Sequence, residues 1–475
     1  MTLVLGLDIG STSTKAALVD VTDGVRVVHV ERRPTSSDPH QLLAGAAEVT
    51  RSCGARAGSP IAAIGVASMA ESGTALAAYG TPLTGMLRWD RAVDRAHLDH
   101  LLTLRPGLPA RTGVPATTKP AAVALIALAT AQPEALRALR HWSGAADLIG
   151  HALTGVRAVD HTLAARTMLA GADGDRWDEG LLTDLGIPLH VLPALRAPGR
   201  RVGFTTGAAA TFGLRPGIPL HIAGHDHAVG AWAAGARVPG DAADSLGTAE
   251  AVVRVAADVD RAGAVAAGFA VSRTVDGAAV TVLGGSRSCG ALLALWESRH
   301  PGTIALLSEQ DPADWSTSPV TVLPYPAGRQ CPRPDADAEL QVLGVGEDDA
   351  LARGLLQSLV SHARWMRETA DELAGGPCTS LVLLGSLAHR IPAWPALTAA
   401  TGLPVRLVAH DEPVAAGAAL LAAVREHVAS PDATLPSSAV APSAAPGLDE
   451  AHDRFLAAVH DQLSTRTART PQGER

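Results

Sequence analysis

The sequence predicts an α/β protein with two similar lobes, and three observations support this. Strand-like and helix-like runs alternate along most of the chain, which is the pattern of α/β proteins. Two segments, residues 3–20 and 241–256, each place a tight Gly/Ser/Thr turn between two strand-like runs. The chain has 475 residues, and chains longer than roughly 250–300 residues usually divide into domains. We therefore expect two lobes that each offer one turn to a shared ligand.

The first hairpin, LVLGLDIGSTSTKAALVD, carries one acid, Asp8, on its first apolar strand. Its turn consists of Gly10, Ser11, Thr12, Ser13, Thr14 and Lys15. Backbone N–H groups and hydroxyls in such a turn can surround an anion. A buried carboxylate beside the turn needs a partner, and Mg²⁺ would provide one. The hairpin therefore predicts a metal–phosphate site with a nucleotide as the leading ligand. Lys15 would either add positive charge there or lie solvated at the strand end.

The other segments continue the alternation of strands and helices. Strands are predicted at residues 62–67, 381–384 and 405–408. Helices are predicted at residues 120–153, 349–374, 394–401 and 450–463, and from Pro413 onward with Asp411 as the N-cap. Residues 219–237 read as a strand, a Gly turn and an Ala-rich helix, and further turns are expected at Gly284-Gly285-Ser286 and Gly385-Ser386.

The domain organisation follows from these elements and from composition. Residues 430–446 are rich in Ala, Pro and Ser, which is typical of a linker, and the last dozen residues are expected to be disordered. We divide the chain into an N-terminal lobe (1–236), a C-terminal lobe (237–429) and a linker with a C-terminal helix and tail (430–475).

Composition argues against several classes of protein. The net charge of −8 and pI near 6.1 disfavour binding to nucleic acid or to an anionic membrane. The longest apolar runs, 121–131 and 414–424, are shorter than the ~20 residues of a spanning helix. The four cysteines are far apart, which predicts free thiols in a reducing compartment. No signal peptide is expected, so we predict a soluble cytoplasmic protein. Its only lysines are Lys15 and Lys119.

The segment Gly224-His225-Asp226-His227 carries the strongest catalytic signal. An acid at the start of a helix feels the positive end of the helix dipole, which favours its ionised form. Asp226 could therefore accept a proton. It could also be only a helix cap. Metal binding by the two histidines is disfavoured, because residues two apart on a helix point to different sides.

These features together resemble the FGGY carbohydrate kinases, the family of glycerol, xylulose, gluconate and ribulose kinases, over about residues 3–425. The matching motifs, in order, are the first hairpin, Trp89-Asp90-Arg91, Leu153-Thr154-Gly155, Trp177-Asp178, Leu192-Pro193 with Gly203, Gly224–Asp226 and Ser245-Leu246-Gly247-Thr248. Each match is short, and the ordered set carries the resemblance. It implies two ribonuclease H-like lobes of the actin and hexokinase type, with nucleotide and sugar in the cleft between them.

The resemblance also implies ATP-dependent phosphorylation of a sugar or polyol hydroxyl. Asp226 would be the general base and Asp8 would hold Mg²⁺. ATP would be bound by Gly10, Ser11, Thr12, Ser13, Thr14, Lys15, Gly247, Thr248, Gly284, Gly285, Gly385 and Ser386. The family usually has Gly-Gly at the adenine side, where this chain has Gly385-Ser386.

On the acceptor side, the resemblance points to residues 68–72, after the strand at 62–67. Glycerol kinases carry Arg-Glu there, and this chain has Ala70-Glu71; the Met-His pair of xylulose kinases is absent. Glu71 would accept a hydroxyl, or would be a solvated turn carboxylate. Asp90 and Arg91 would line the same cleft as Trp89, or pair with each other. His225 would contact substrate or be structural.

A ketose, pentulose-like, is the leading acceptor, and a polyol such as glycerol or a tetritol is the alternative. An actin-like ATPase without sugar kinase activity is a competing class, but it would not need an acceptor pocket. A catalytically weak sugar-binding relative is a third possibility. The expected partners are ATP and a small sugar or polyol, with a homodimer possible.

Overall fold

The computed structural model describes residues 1–467 and shows a mixed α/β fold with two large sheets. The strands are β1 (Leu3–Ile9), β2 (Ser13–Asp20), β3 (Arg26–Pro34), β4 (Ile61–Ser68), β5 (Gly73–Leu76), β6 (His141–Gly144), β7 (Ala158–Asp160), β8 (Ala194–Arg196), β9 (Gly203–Phe204), β10 (Pro219–His225), β11 (Asp241–Leu246), β12 (Glu250–Ala256), β13 (Ala270–Arg273), β14 (Val280–Ser286), β15 (Thr321–Leu323), β16 (Gln341–Leu343), β17 (Ser380–Leu384), β18 (Val405–Val408) and β19 (Ser437–Ala439). The α-helices are α1 (Pro39–Ala55), α2 (Arg95–Leu104), α3 (Leu108–Thr112), α4 (Ala121–Ala131), α5 (Pro133–Ala138), α6 (Ala145–Thr154), α7 (His161–Ala165), α8 (Glu179–Asp184), α9 (Asp226–Ala234), α10 (Arg261–Ala266), α11 (Gly290–Arg299), α12 (Thr303–Glu309), α13 (Asp348–Leu373), α14 (Ser386–Arg390), α15 (Ala393–Ala399), α16 (Pro413–Arg425) and α17 (Leu448–Thr467).

The two sheets repeat one topology. The first has the order β3-β2-β1-β4-β10-β9 and the second β13-β14-β12-β11-β17-β18-β19. In each, the first strand of a hairpin pairs antiparallel with its neighbour in sequence, β2 or β12. On its other side it pairs parallel with a later strand, β4 or β17. The prediction of two related lobes, made from the two hairpins, is confirmed.

Helix α16 packs against the first sheet although it lies late in the chain, and it also contacts α9. The approach is close because two sheet residues are glycines. A Cβ atom at Gly6 would overlap the carbonyl oxygen of Ala415, and one at Gly65 that of Ala418. The Ala-rich sequence of α16 allows the same approach from its side. Strand β1 is buried along its whole length, as expected for a strand that is covered on both faces.

One predicted helix is interrupted. Residues 120–153 contain α4 and α5, then the short strand β6, and only then α6. Pro133 opens α5, since proline cannot continue a helix. Strand β6 pairs with β5, and the ring of Trp142 occupies the space that Gly73 leaves open. A tertiary contact therefore overrides the apolar helical pattern at this point.

Three further details differ from the sequence prediction. Gly284-Gly285-Ser286 is not a turn but the end of β14, and Gly284 is needed because a Cβ atom there would clash with the ring of Phe269. The N-cap of α16 is Glu412, without a side-chain cap, so the prediction of Asp411 was wrong. The predicted linker at 430–446 contains β19, which extends the second sheet beside β18.

The C-terminal helix was predicted at 450–463 and runs over Leu448–Thr467 as α17, with Phe455 fully buried. The tail predicted to be disordered begins at residue 464, but residues 464–467 belong to α17, and residues 468–475 lie outside the described residues. None of the helices in residues 1–467 is long and apolar enough to cross a membrane. The four cysteines are free, as the sequence predicted, and all four are buried.

Candidate active site

The candidate site lies where β1, β4 and β10 end. These strands are parallel to one another, and Asp8, Ala67 and Gly224 stand side by side in register. Carboxyl ends of parallel strands form the usual ligand crevice of α/β sheets. With neighbouring strands ~4.8 Å apart, the backbones of Asp8 and Gly224 are separated by roughly 10 Å. The sequence elements that carry Asp8 and Asp226 therefore meet at one edge of the first sheet.

Asp226 is the first residue of α9, directly after β10. Its Oδ1 lies 3.1 Å from His225 Nε2 and accepts a hydrogen bond of 2.8 Å from the backbone N–H of His227. Burial raises the pKa of Asp226, but the charges and hydrogen bonds of His227 and His225 outweigh it and hold the pKa well below its usual range. Its carboxylate is therefore ionised at neutral pH, and its side chain keeps 20% of its surface exposed.

The backbone before Asp226 is fixed by a buried polar network. Gly224 has φ of +134°, and a Cβ atom there would clash with Thr162 Oγ1. The backbone N–H of His225 donates to the same Thr162 hydroxyl at 2.9 Å, and this hydroxyl donates to Asp160 at 2.6 Å. Glycine is therefore required at position 224. The hydrogen bonds of Thr162 and Asp160 fix the strand-to-helix corner that carries Asp226.

The two histidines converge on Asp226, against the sequence expectation. His227 Nε2 lies 4.0 Å from Asp226 Oδ1, and ligand atoms of His225, Asp226 and His227 all lie within 4.8 Å of one another. The argument from helix geometry was wrong, because His225 is the N-cap with extended backbone angles and is not yet helical. The structure therefore shows His225 in direct contact with Asp226. Substrate contact by His225 stays a prediction.

Asp8 is buried and only partly compensated. Its Oδ1 has no hydrogen-bond partner among the described residues, and Lys15 Nζ lies 3.5 Å from Oδ2. Burial, assisted by the charges of Asp226 and Glu412 and opposed by Lys15, raises its pKa from 3.8 to about 7. A divalent cation would satisfy the free oxygen and stabilise the ionised form. The donor set therefore fits the Mg²⁺ that the sequence predicted.

Lys15 is neither solvated nor free. Its Nζ lies 2.6 Å from Glu412 and 3.5 Å from Asp8, and Arg32 also approaches Glu412, at 3.7 Å. Glu412 was not identified from the sequence, since it lies 397 residues from Lys15 and follows no motif. Its position at the start of α16 brings a second carboxylate to the predicted metal–phosphate site.

The first predicted phosphate turn is tight and anchored. The backbone N–H of Gly10 donates to Ser13 at 3.1 Å, and Thr35 donates to the carbonyl oxygen of Gly10 at 2.8 Å. Arg88 donates to the carbonyl oxygen of Ser11 at 2.7 Å. Thr12 at the tip is exposed. The turn is therefore held at its base, while its tip remains open to a ligand.

The second predicted phosphate turn lies against the start of α11. Gly247 closes the turn through a 3.2 Å hydrogen bond to Ala249. The first two residues of α11, Gly290 and Ala291, donate their N–H groups to the carbonyl oxygens of Gly247 and Thr248 at 3.1 and 3.0 Å. The positive end of a helix therefore lies directly behind this turn.

The predicted nucleotide-binding residues Gly385 and Ser386 directly follow β17 and lie close to the second predicted phosphate turn. Strands β11 and β17 are adjacent, so Gly385 follows β17 beside Leu246. Gly385 has φ of +107°, and a Cβ atom there would overlap the backbone of Leu246. Ser386 then begins α14. By contrast, Gly284 and Gly285 lie inside β14 and pair with β12, so they are strand residues and not a loop around a ligand.

Glu71 is not a solvated turn carboxylate. Its φ is +60°, its side chain is 8% exposed, and it forms an ion pair of 2.7 Å with Arg166. Arg166, at the end of α7, was missed in the sequence because no motif marks it. The Nε and Nη1 atoms of Arg166 are buried without a hydrogen-bond partner among the described residues. The Arg-Glu pair absent from the local sequence is thus assembled from distant segments.

Asp90 and Arg91 do not pair with each other. Asp90 forms a two-pronged ion pair with Arg88, at 2.9 and 2.7 Å. Arg91 donates to the backbone carbonyls of Arg88, Thr118 and Lys119. Arg91 therefore ties two loops together, and Asp90 orients the arginine that anchors the first predicted phosphate turn. Contact of either residue with substrate stays a prediction.

Trp89 is half-buried, and two cations lie near its ring. Lys119 Nζ lies 5.1 Å from the centre of its ring, and the guanidinium of Arg287 lies 5.6 Å away. Lys119 also donates a 2.7 Å hydrogen bond to Gln330. Since Arg287 and Gln330 belong to the second half of the chain, Trp89 lies where the two lobes meet.

Two family models match almost the whole chain. The N-terminal domain of the FGGY family of carbohydrate kinases matches residues 3–233, and its C-terminal domain matches residues 243–426. Among curated proteins, xylulose kinase of Streptomyces rubiginosus is 31% identical over 289 residues, 57% of this chain and 58% of that protein. Glycerol kinase of Rhizorhabdus wittichii is 32% identical over 225 residues, 42% of this chain and 43% of that protein. The chain thus matches about half the length of these relatives.

Solved structures agree over the full length. A xylulose kinase from Rhodospirillum rubrum has a TM-score of 0.83 at 23% identity, covering 98% of this chain and 99% of that one. Plasmodium falciparum glycerol kinase with ADP has a TM-score of 0.79 at 16% identity, covering 100% and 99%. These likenesses show the two-lobed fold. Together with the two family models, they confirm the resemblance predicted from the motifs: the chain belongs to the FGGY family of carbohydrate kinases.

Proposed function

We propose that this chain transfers the terminal phosphoryl group of ATP to a hydroxyl of a small carbohydrate, with Asp226 as the general base. The observation that carries the proposal is the position of Asp226. It is an ionised, partly exposed carboxylate at the start of a helix, on the sheet edge that also carries the buried carboxylate of Asp8. Family membership supports the reaction class.

Asp226 would accept the proton of the attacking hydroxyl as that oxygen approaches the phosphorus. His225 and the backbone N–H of His227 both contact the same oxygen, Oδ1. Oδ2 is then the atom left to meet the substrate. Such positioning of a base within hydrogen-bond reach is what general base catalysis requires.

Phosphoryl transfer depends mainly on positioning and on neutralising charge. Mg²⁺ held by Asp8 would offset charge on the phosphates. The turns at Gly10–Thr14 and at Gly247-Thr248 would offer backbone N–H groups, and the helix end behind the second turn adds a favourable dipole. Lys15 pairs with both Asp8 and Glu412, so we assign it to partial electrostatic balance of the metal site.

The leading acceptor is a ketose, pentulose-like, and a polyol is the alternative. Similarity to a xylulose kinase supports the first, and similarity to a glycerol kinase supports the second. The buried Glu71–Arg166 pair would bind hydroxyls in either case. An actin-like ATPase is disfavoured, because it has no use for such a pair beside the base. A cytoplasmic location and a homodimer stay predictions.

A coupled ADP-release screen over ketoses, polyols and aldonates tests the function, and Asp226→Asn tests the base. The variant keeps the shape of the side chain but cannot accept the proton. We expect kcat to fall by roughly 10²–10⁴-fold, with ATP affinity nearly unchanged. Asp173→Asn is the matched control, since Asp173 forms an ion pair with Arg273 and its side chain is half exposed. Normal phosphorylation by Asp226→Asn would remove Asp226 from the mechanism.

A further inference from the structure

Arg287 lies in the short connection between β14 and α11, and both ends of this connection adjoin the second predicted phosphate turn. Ser286, the last residue of β14, pairs with Glu250, where β12 begins after the turn. Gly290, the first residue of α11, donates its N–H group to the carbonyl oxygen of Gly247 at 3.1 Å. The backbone that carries Arg287 is therefore fixed beside this turn on both sides.

The side chain of Arg287 reaches toward the first lobe. Its guanidinium lies 5.6 Å from the centre of the Trp89 ring. The residue before Trp89, Arg88, donates to the carbonyl oxygen of Ser11 in the first predicted phosphate turn at 2.7 Å. Arg287 is therefore tied by its backbone to the second turn, while its charged end lies next to the segment that anchors the first. A polyphosphate that contacts both turns would pass close to this guanidinium.

No acid within the described part of the chain forms an ion pair with Arg287. The acid nearby, Asp90, is held by Arg88 through two hydrogen bonds of 2.9 and 2.7 Å. A second cation, Lys119, approaches the same Trp89 ring at 5.1 Å and adds positive charge. Arg287 is half-buried, and a partly desolvated charge without a partner is costly. Its surroundings therefore favour the binding of an anion.

We propose that Arg287 binds the terminal phosphate of ATP and neutralises charge on the phosphoryl group during its transfer. This rests on the proposed function and adds a residue to its mechanism. ATP held at the second turn would direct its terminal phosphate toward the first lobe, which carries Asp226, and so toward the Arg287 guanidinium. An arginine can hold two phosphate oxygens with parallel hydrogen bonds, and its contact with Trp89 keeps it at the junction of the lobes before the nucleotide arrives.

The step that Arg287 assists is the transfer itself. The acceptor oxygen forms a bond to the terminal phosphorus as the bond from that phosphorus to the bridging oxygen breaks, and ADP leaves with the bridging oxygen. Asp226 takes the proton of the acceptor hydroxyl. Negative charge is spread over the three remaining oxygens of the phosphoryl group. The guanidinium contacts these oxygens and keeps its own proton throughout, because its pKa is too high for proton transfer.

Steady-state kinetics of Arg287→Gln test this contact. We expect kcat to fall by roughly 10²–10³-fold, as for the loss of a preorganised donor to transition-state charge, with KM for the acceptor little changed. Arg287→Lys keeps the charge without the planar fork and should recover part of kcat. Arg299→Gln is the control, because it removes an exposed arginine at the far end of α11, roughly 15 Å away. A kcat equal to that of the control, or a change confined to KM of the acceptor, would overturn the inference.

A binding measurement separates this inference from the proposed function. Thermal unfolding is followed without acceptor, with Mg²⁺ and either ADP or the β,γ-methylene analogue of ATP, which is not hydrolysed. The wild-type Tm should rise more with the analogue than with ADP. Arg287→Gln should lose this difference but keep the ADP shift, which also shows that the variant is folded.

The other outcomes of the binding measurement are equally decisive. A difference between the two nucleotides that is missing in the wild type, or unchanged in Arg287→Gln, overturns the inference. Loss of the ADP shift as well overturns it, because the contact would not be confined to the terminal phosphate. An Arg287-dependent difference in a protein that releases no ADP with any carbohydrate supports the phosphate contact and counts against the kinase proposal.

Discussion

Asp226 keeps its negative charge because both of its neighbours in sequence contact its carboxylate. His225 does so with its imidazole and His227 with its backbone N–H. The helix position alone was enough to predict ionisation from the sequence. The structure adds that both contacts engage Oδ1, which leaves Oδ2 for a substrate proton. The contacts at Oδ1 therefore hold the carboxylate in place, while Oδ2 remains available to accept a proton.

Asp8 differs from Asp226 because burial raises its pKa, so that its ionised form needs a bound cation to be favourable. Its pKa is raised from 3.8 to about 7, so the folded state prefers the protonated form. The stability from this group is fully present below pH ~4 and is lost as the pH rises through 7. Asp8→Asn has no such titration. In urea unfolding without ligands, we expect the stability of the variant relative to the wild type to rise from pH ~4 through pH 7 and to level off near pH 8, with a total gain of roughly 4 kcal/mol.

The dependence of thermal stability on Mg²⁺ provides a second test of the role of Asp8. Mg²⁺ with ADP should raise the Tm of the wild-type protein more at pH 8 than at pH 6, because metal binding requires the ionised carboxylate. This pH dependence should be absent in Asp8→Asn. Asp20→Asn offers a comparison on the same hairpin, since Asp20 pairs with Arg26 away from the cleft. An identical magnesium response in Asp8→Asn and wild type would remove Asp8 from the metal site.

At the scale of elements, helix α16 and the first sheet depend on one another. The helix carries Glu412 at its N-cap and so brings a carboxylate to Lys15. Its position is set by glycines on β1 and β4, which let its backbone approach the sheet. A change in the packing of α16 should therefore affect both the stability of the fold and the charge balance around Asp8.

Gly65→Ala tests this dependence. Its Cβ atom would meet the carbonyl group of Ala418 in α16, so backbone must shift, and overpacking of this kind costs about 1–3 kcal/mol or more. We expect a lower urea midpoint and weaker magnesium binding. Gly45→Ala is the matched control on α1, where a new Cβ atom has nothing within 4 Å and should be neutral or stabilising by up to ~1 kcal/mol. Equal midpoints for the two variants would contradict the packing argument.

At the scale of the whole molecule, the two lobes face each other across the site. The two predicted phosphate turns come from different sheets, and Lys119 bonds to Gln330 across the lobe junction. A ligand that contacts both turns would favour a closed arrangement. The division of the chain between residues 236 and 237 stays a prediction. Helix α9 follows β10 of the first sheet and α16 follows β18 of the second, and the two helices contact each other.

Small-angle scattering tests closure. Asp226→Asn is the suitable protein, because it should bind Mg-ATP and acceptor without turnover. We expect a smaller radius of gyration with both ligands than with neither, since the turns must approach a common polyphosphate. The acceptor alone serves as the control for one-lobe binding. Scattering curves that superimpose in all states would show that the lobes do not close.

Much of the fold was predictable because its signals are local. Both hairpins and the strand–turn–helix around Asp226 are marked by alternation of apolar runs with Gly, Ser and Thr turns, which need no distant partner. The errors arose where distant packing overrode such signals. Gly284 was read as a turn residue but makes room for Phe269, and β6 exists because Trp142 packs over Gly73.

The sequence by itself determined the two-lobed α/β fold, the family, and the segments that present Asp8 and Asp226. Only the tertiary structure decided which charges surround them. Glu412, Arg166 and Arg287 come from remote segments and follow no motif, yet each lies beside a residue that the motifs did identify. The physical reason is range: turn chemistry and periodicity act over a few neighbouring residues, whereas the balance of buried charge depends on every side chain that folding brings within reach.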